Sequence, residues 1–136
     1  MRVALIFFCP EKDRKTMMIL KNLETSSTSC GNQVEIYNGY EDMTNTRLTI
    51  FDYIAVLVQP QGFIGGKIAP RVSEFLVTSG IVNGKKGCAL VLKSGLSSEK
   101  TCRNLMKVME AEGICLDYSA VIRDEEHALY VGKKVG

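Results

Sequence analysis

The residues best placed to do chemistry fall in one turn. CPEKDRKT (residues 9–16) joins an apolar run to an amphipathic one, and positions 11–15 hold two acids and three bases. In an α/β protein such a strand-to-helix turn can cradle a phosphate, because the first N–H groups of the helix lack partners and the helix dipole favours an anion. Lys12, Arg14 and Lys15 outweigh Glu11 and Asp13, so the turn carries a net charge of +1, and Thr16 adds a hydroxyl. Glu11 opposes an anion. A carboxylate about 6 Å from one unit of phosphate charge costs roughly 3 kcal/mol at an effective dielectric of about 20. A phosphate therefore fits with Glu11 turned to water, and with Thr16 and the backbone of residues 12–15 turned inward. The plainer reading is a solvated loop whose Asp13 caps the helix.

A second group of candidates follows another apolar run. QPQGFIGG (59–66) is a loop by its proline and glycine content. Gly62, Gly65 and Gly66 permit either close backbone approach to a ligand or a tight turn. Phe63 offers a ring for stacking or for anchoring the loop. Ser94 and Gly95 stand in a third loop, residues 93–98. No nucleophile–base pair is visible, and G-x-S-x-G, Walker A and G-x-G-x-x-G patterns are missing from the sequence. Cys9, Cys30, Cys88, Cys102 and Cys115 are scattered without a C-x-x-C pair, and there is one histidine, so metal-ligand spacing is missing. Cys9 reads as a small buried residue, and Cys88, Cys102 and Cys115 as small hydrophobes in apolar segments. His127 reads as solvated, and Tyr118 and Tyr130 as core residues.

Composition sets the frame for these residues. A length of 136 residues, 46% hydrophobic and 24% charged, suits one globular domain over 1–136 with a single developed core. The net charge of +2 is spread over interleaved signs, with no basic arm or stripe for nucleic acid. No apolar run approaches the roughly 18 residues of a membrane span. The first strand is too short for a signal-peptide core, so the cytosol is the expected location.

Strand-like runs alternate with helix-like ones. RVALIFF (2–8) and YIAVLV (53–58) are almost continuously apolar, as strands covered on both faces must be. QVEIY (33–37) alternates like an edge strand; CALVLK (88–93) and ICLDYSAVI (114–122) complete a set of five. Between them, Thr16, Ile19, Leu20 and Leu23 recur at helical spacing, in a helix expected to fray through TSSTSC and stop near Gly31. Ile68, Val72, Phe75 and Leu76 mark a second helix ended by Gly80. Cys102, Leu105, Met106 and Met109 mark a third, with Ser98 as its N-cap and Gly113 as its stop. The segment before Phe51 has room for one helical turn, and the last residues for a short helix. Alternation of this kind implies a three-layer α/β sandwich, a doubly wound parallel sheet of five strands in the order 2-1-3-4-5. Ligands in such sheets bind at the carboxyl ends of the strands, near the switch point between strands 1 and 3.

At those strand ends the chain resembles the flavodoxin-like family, in element order over nearly its whole length. FDYIAVLVQP and GGKIAPRVSEFL look like the family's third strand, its glycine-containing loop and the helix after it. KKGCALVLKSG is similar to the fourth strand and third loop, and the ending resembles a G-K-K-L-like tail. In CPEKDRKT, Pro10, Lys12 and Thr16 match a phosphate loop of the S-P-R-x-x-G-N-T kind, whereas Cys9 and Lys15 stand for its serine and asparagine, and the glycine is missing. The resemblance implies flavin mononucleotide (FMN) as cofactor. It implies contacts from Cys9, Pro10, Lys12, Arg14, Lys15 and Thr16 to the phosphate side. Pro60, Gln61, Gly62, Phe63, Ile64, Gly65, Ser94 and Gly95 would contact the rest of the flavin. It further implies an electron carrier serving a redox partner protein, with two alternatives. One is an FMN-dependent reductase of small substrates such as quinones, commonly a dimer; the other is a binding or regulatory module of this fold that has lost flavin. No catalytic side chain is needed where a flavin carries the chemistry.

Overall fold

In the computed structural model, which describes residues 1–10, 13–42, 47–60 and 65–136, the two continuous apolar runs lie side by side. β1 (Arg2–Phe8) pairs in parallel with β3 (Tyr53–Val58), Leu5 opposite Ala55, and with β2 (Gln33–Asn38), Leu5 opposite Ile36. β4 (Lys86–Leu92) pairs with β3, and β5 (Cys115–Ile122) pairs with β4, giving five parallel strands in the order β2-β1-β3-β4-β5. Every residue of β3 is buried, whereas β5, at the sheet edge, alternates between exposed and partly buried positions until Ile122. Cys115 begins that edge strand and is exposed, so it is not the buried hydrophobe its apolar neighbours suggest.

Four helices cover the two faces. α2 (Pro70–Thr78) and α3 (Ser98–Ala111) bring Val72, Phe75, Leu105 and Met109 onto Ile6, Phe8, Ile54 and Val56. α1 (Arg14–Ser29) and α4 (Glu125–Gly132) bring Ile19, Leu20, Leu23, Ala128 and Val131 onto Leu5, Phe7, Ala55 and Leu57. Two apolar layers of this kind keep the central strands dry on both sides. A 3₁₀ turn at Leu48–Ile50 leads into β3. Among the described residues no helix is long and apolar enough to cross a membrane.

The serine-rich end of α1 does not fray. It stays helical through Ser29 because Ser27 is buried and its hydroxyl donates to the Val135 carbonyl at 2.7 Å, a partner 108 residues away. Asn22 Nδ2 donates to the Glu125 carbonyl at 2.8 Å. Gly132 completes the α1–α4 seam: a Cβ there would lie 2.8 Å from the Leu23 carbonyl oxygen and 2.7 Å from Ser26 Cβ. Tyr130, expected in the core, is 57% exposed; its ring stacks on His127 instead. Tyr118 packs, partly buried, against the α1–α4 layer.

Candidate functional site

The carboxyl ends of β3, β4 and β5 and the first turn of α1 enclose a cavity of about 110 Å³. Ile19, Leu92 and Ile122 form its apolar floor. Asp13, Lys15, Thr16, Gln59, Lys93, Ser94 and Arg123 supply its polar wall. Three cations from three separate elements meet one carboxylate there, a surplus of +2. The charge of Lys15 acts on the Asp13 carboxylate beside it.

Local sequence explains each placement. Lys93 leaves β4 with its N–H bonded to the Ile122 carbonyl at 2.9 Å, so Lys93 and Arg123 exit neighbouring strands together. The Arg123 N–H in turn donates to His127 Nδ1 at 3.1 Å, and the His127 N–H to Asp124 Oδ1 at 2.7 Å, which locks the start of α4 below the cavity. Gln59 is the residue just beyond β3. Its Oε1 is shut off from solvent and, among the described residues, accepts no hydrogen bond.

Asp13 is the N-cap of α1, as the plainer reading of the turn has it. Its Oδ1 accepts the Thr16 N–H at 2.8 Å. The Thr16 backbone N–H and hydroxyl both bond to the carboxylate and hold its carboxyl below the usual aspartate range. Thr16 is buried. Both donors of Thr16, one of the residues that the resemblance places on the phosphate side, are thus engaged by a carboxylate of the chain itself. Cys9 is buried at the exit of β1, and that burial, with the Asp13 charge nearby, pushes its thiol up to about 12. It stays protonated and is no nucleophile at neutral pH.

The third loop is closed by Ser98, one position later than an N-cap. The Ser94 N–H donates to Ser98 Oγ, and Ser98 Oγ donates to the Ser94 carbonyl, both at 2.9 Å, while Ser97 takes the cap position. Ser98 was expected at the cap itself. It falls inside α3 because its hydroxyl is spent on closing the loop before it. Gly95 has a positive φ of 59°, and Leu96 at the loop's tip is 75% exposed. The glycine loop is pinned at its far end, where Asn104 Nδ2 donates to the Gly66 carbonyl at 2.6 Å.

The structure therefore brings Lys15, Thr16 and Ser94 into one cavity, with Gly95 beside it. Pro10 and Arg14 are exposed around the turn, Pro60 is buried behind Gln59, and Gly65 is exposed. Lys12, Gln61, Gly62, Phe63 and Ile64, with Glu11, lie outside the described residues. Gln59, Lys93, Arg123 and Leu96 were not singled out as candidates from sequence. The strand-end rule, applied to β5 as it was to β1 and β3, would have selected Arg123.

No protein-family model matches the sequence, and no curated protein matches it. Solved structures do. A Streptococcus pneumonia TIGR4 flavodoxin is 16% identical, with 98% of this chain and 96% of that one covered at a TM-score of 0.66. The fold is flavodoxin-like. A Fusobacterium nucleatum flavodoxin bound to flavin mononucleotide matches this flavodoxin-like chain over 100% of both, at 11% identity and a TM-score of 0.65. An NAD(P)H:quinone oxidoreductase from Methanothermobacter marburgensis is 12% identical, covering 98% and 93%, with a TM-score of 0.57.

Proposed function

We propose that this chain binds FMN at the carboxyl edge of its sheet and serves as a cytosolic electron carrier. The observation that supports this most is the cationic cavity at the α1 N-terminus, in a fold shared with a flavodoxin bound to FMN. The donor set suits a phosphate: Lys15, Lys93 and Arg123 bring charge, and Ser94 a hydroxyl. The cavity has room for a phosphate and the carbon it esterifies, so a flavin ring would rest outside it, against Gly65, Ser94 and Gly95. Bound there, FMN would supply one- and two-electron redox chemistry. The chain's own part is to hold the phosphate with three cations and to present the exposed Leu96, Met17 and Met18 as apolar surface for a partner protein. Fluorescence titration of the apoprotein with FMN tests the reading. Saturable quenching that weakens steeply with salt is expected, because the counter-charges are exposed side chains. A colourless protein that leaves FMN fluorescence untouched at any salt concentration would end it.

One observation favours a second reading, a module of this fold without flavin. Asp13 already satisfies Thr16. The same titration separates the two.

A further inference from the structure

Arg123 stands where β5 ends and α4 begins, and a side chain holds it there. Its N–H donates to His127 Nδ1 at 3.1 Å, and the Ile122 carbonyl just before it accepts the Lys93 N–H at 2.9 Å. The arrangement is a variant of the capping box. Asp124, the N-cap, accepts the His127 N–H, and the side chain three positions on reaches back to a backbone donor at the helix entry. An ordinary capping box uses Glu or Gln for that return bond. Here an imidazole makes it, and Nδ1 can accept only while the ring is neutral, with its proton on Nε2. The ring is partly buried and lies nearly parallel to that of Tyr130, 6.3 Å between centroids and 10° between planes. Arg123 borders two spaces, the cavity and a wider groove that it shares with Asp124, Glu126, His127 and Tyr130.

We infer that neutral His127 is a positioning residue for the cavity: its Nδ1 fixes the backbone of Arg123 so that the guanidinium is presented with Lys15 and Lys93, and protonation of the ring releases it. The inference rests on the FMN reading and deepens it, because it links the hold on the phosphate to a proton taken up outside the cavity. The charged and titratable groups that face the ring are Arg123, Asp124 and Glu126 at the entry to α4, and Tyr130 one turn on. Lys134 lies over the Tyr130 ring, and Tyr118 of β5 lies near it. From α1, Asp13 and Lys15 line the cavity with Arg123 rather than the groove that holds the imidazole.

Two variants separate the ring from its acceptor. His127→Phe keeps an aromatic face on Tyr130 and removes the nitrogen. His127→Asn keeps an acceptor at the place of Nδ1 and cannot be protonated. At pH 8, His127→Phe should bind FMN several-fold to about tenfold more weakly, at most the worth of the one charge-assisted contact it loosens, and His127→Asn should bind like wild type. Acidification to pH 5, through the range where imidazoles take up a proton, should cost wild type the same factor relative to His127→Asn. That comparison cancels the proton that a phosphate monoester takes up in the same range. His127 is the chain's one histidine, so ring nitrogen NMR shifts report it directly, and the apoprotein at pH 8 should show the Nε2–H form. These last two measurements need no folded His127→Phe. An Nδ1–H form, or a His127→Phe protein that binds FMN like wild type, would reduce the residue to a helix cap and overturn the inference with FMN binding intact. Wild type that gains affinity over His127→Asn on acidification would make the ring an added cation and overturn it too. Wild-type protein that binds no FMN at any pH would remove the FMN reading, and this inference with it.

Discussion

The two turns that frame the cavity are closed by different chemistry. Before α3, a neutral hydroxyl does it: Ser98 bonds both backbone groups of Ser94, and the loop between them projects Gly95 and Leu96 outward. Before α1, a charge does it: the Asp13 carboxylate takes the N–H and the hydroxyl of Thr16. The hydroxyl closure is indifferent to an approaching anion. The carboxylate closure competes with one. The difference shows that a helix N-terminus at a strand end is not an anion site by position alone; its own cap decides whether donors remain. In this molecule Asp13 occupies donors of the turn, and the cations at the cavity are the side chains of Lys15 and of Lys93 and Arg123, which leave β4 and β5.

The sharpest way to break that contrast is to remove the displaced charge. Lys93→Glu combined with Arg123→Glu should weaken FMN by about a hundredfold or more, since each charge-assisted contact is worth roughly tenfold. Melting should be little changed, because both side chains are exposed. A loss below threefold would mean the cavity does not hold the phosphate.

Asp13→Asn sharpens the comparison from the other side. The amide oxygen still caps α1 but no longer repels an anion, so FMN should bind several-fold tighter. The pH dependence has a definite sign. Asp13 is held below the ordinary value of 3.8, so its cap contributes stability above that value and loses it as pH falls through the lowered one. Melting curves from pH 5 to pH 2 should show that acid-dependent component in wild type and lack it in Asp13→Asn. Weaker FMN binding by the variant would show that the carboxylate is not a competitor.

Ser98→Ala should give the smallest effect. Losing the two Ser94 bonds is expected to cost about 1–2 kcal/mol, or roughly 3–6 °C in melting temperature. FMN affinity should change only through loosening of the Gly95–Leu96 tip. A drop in affinity as large as that of the charge reversals would make the two closures equally important to the ligand.

Much of this architecture is legible from local pattern. The unbroken runs of β1 and β3 require cover on both faces, and that requirement alone makes them central and places the switch point between them. What escapes is whatever depends on distant partners. TSSTSC looks like a fraying end, since nothing near it in sequence discloses the bond from Ser27 to the Val135 carbonyl. The cavity escapes for the same reason: Lys15, Gln59, Lys93 and Arg123 are spread over more than a hundred positions and meet only through the strand order. Asp13 is the reverse case. Its capping is a local event, visible from its position alone, yet its consequence for an anion requires the fold.

The Asp13 cap bears on lifetimes as well as on affinity. When an ordinary helix-bound anion departs, it leaves bare N–H groups that water must fill, and that transient exposure slows its escape. Here the Asp13 carboxylate, three residues from Thr16, already holds its N–H. The start of α1 carries its own partner, so its order does not depend on whether an anion lies in the cavity.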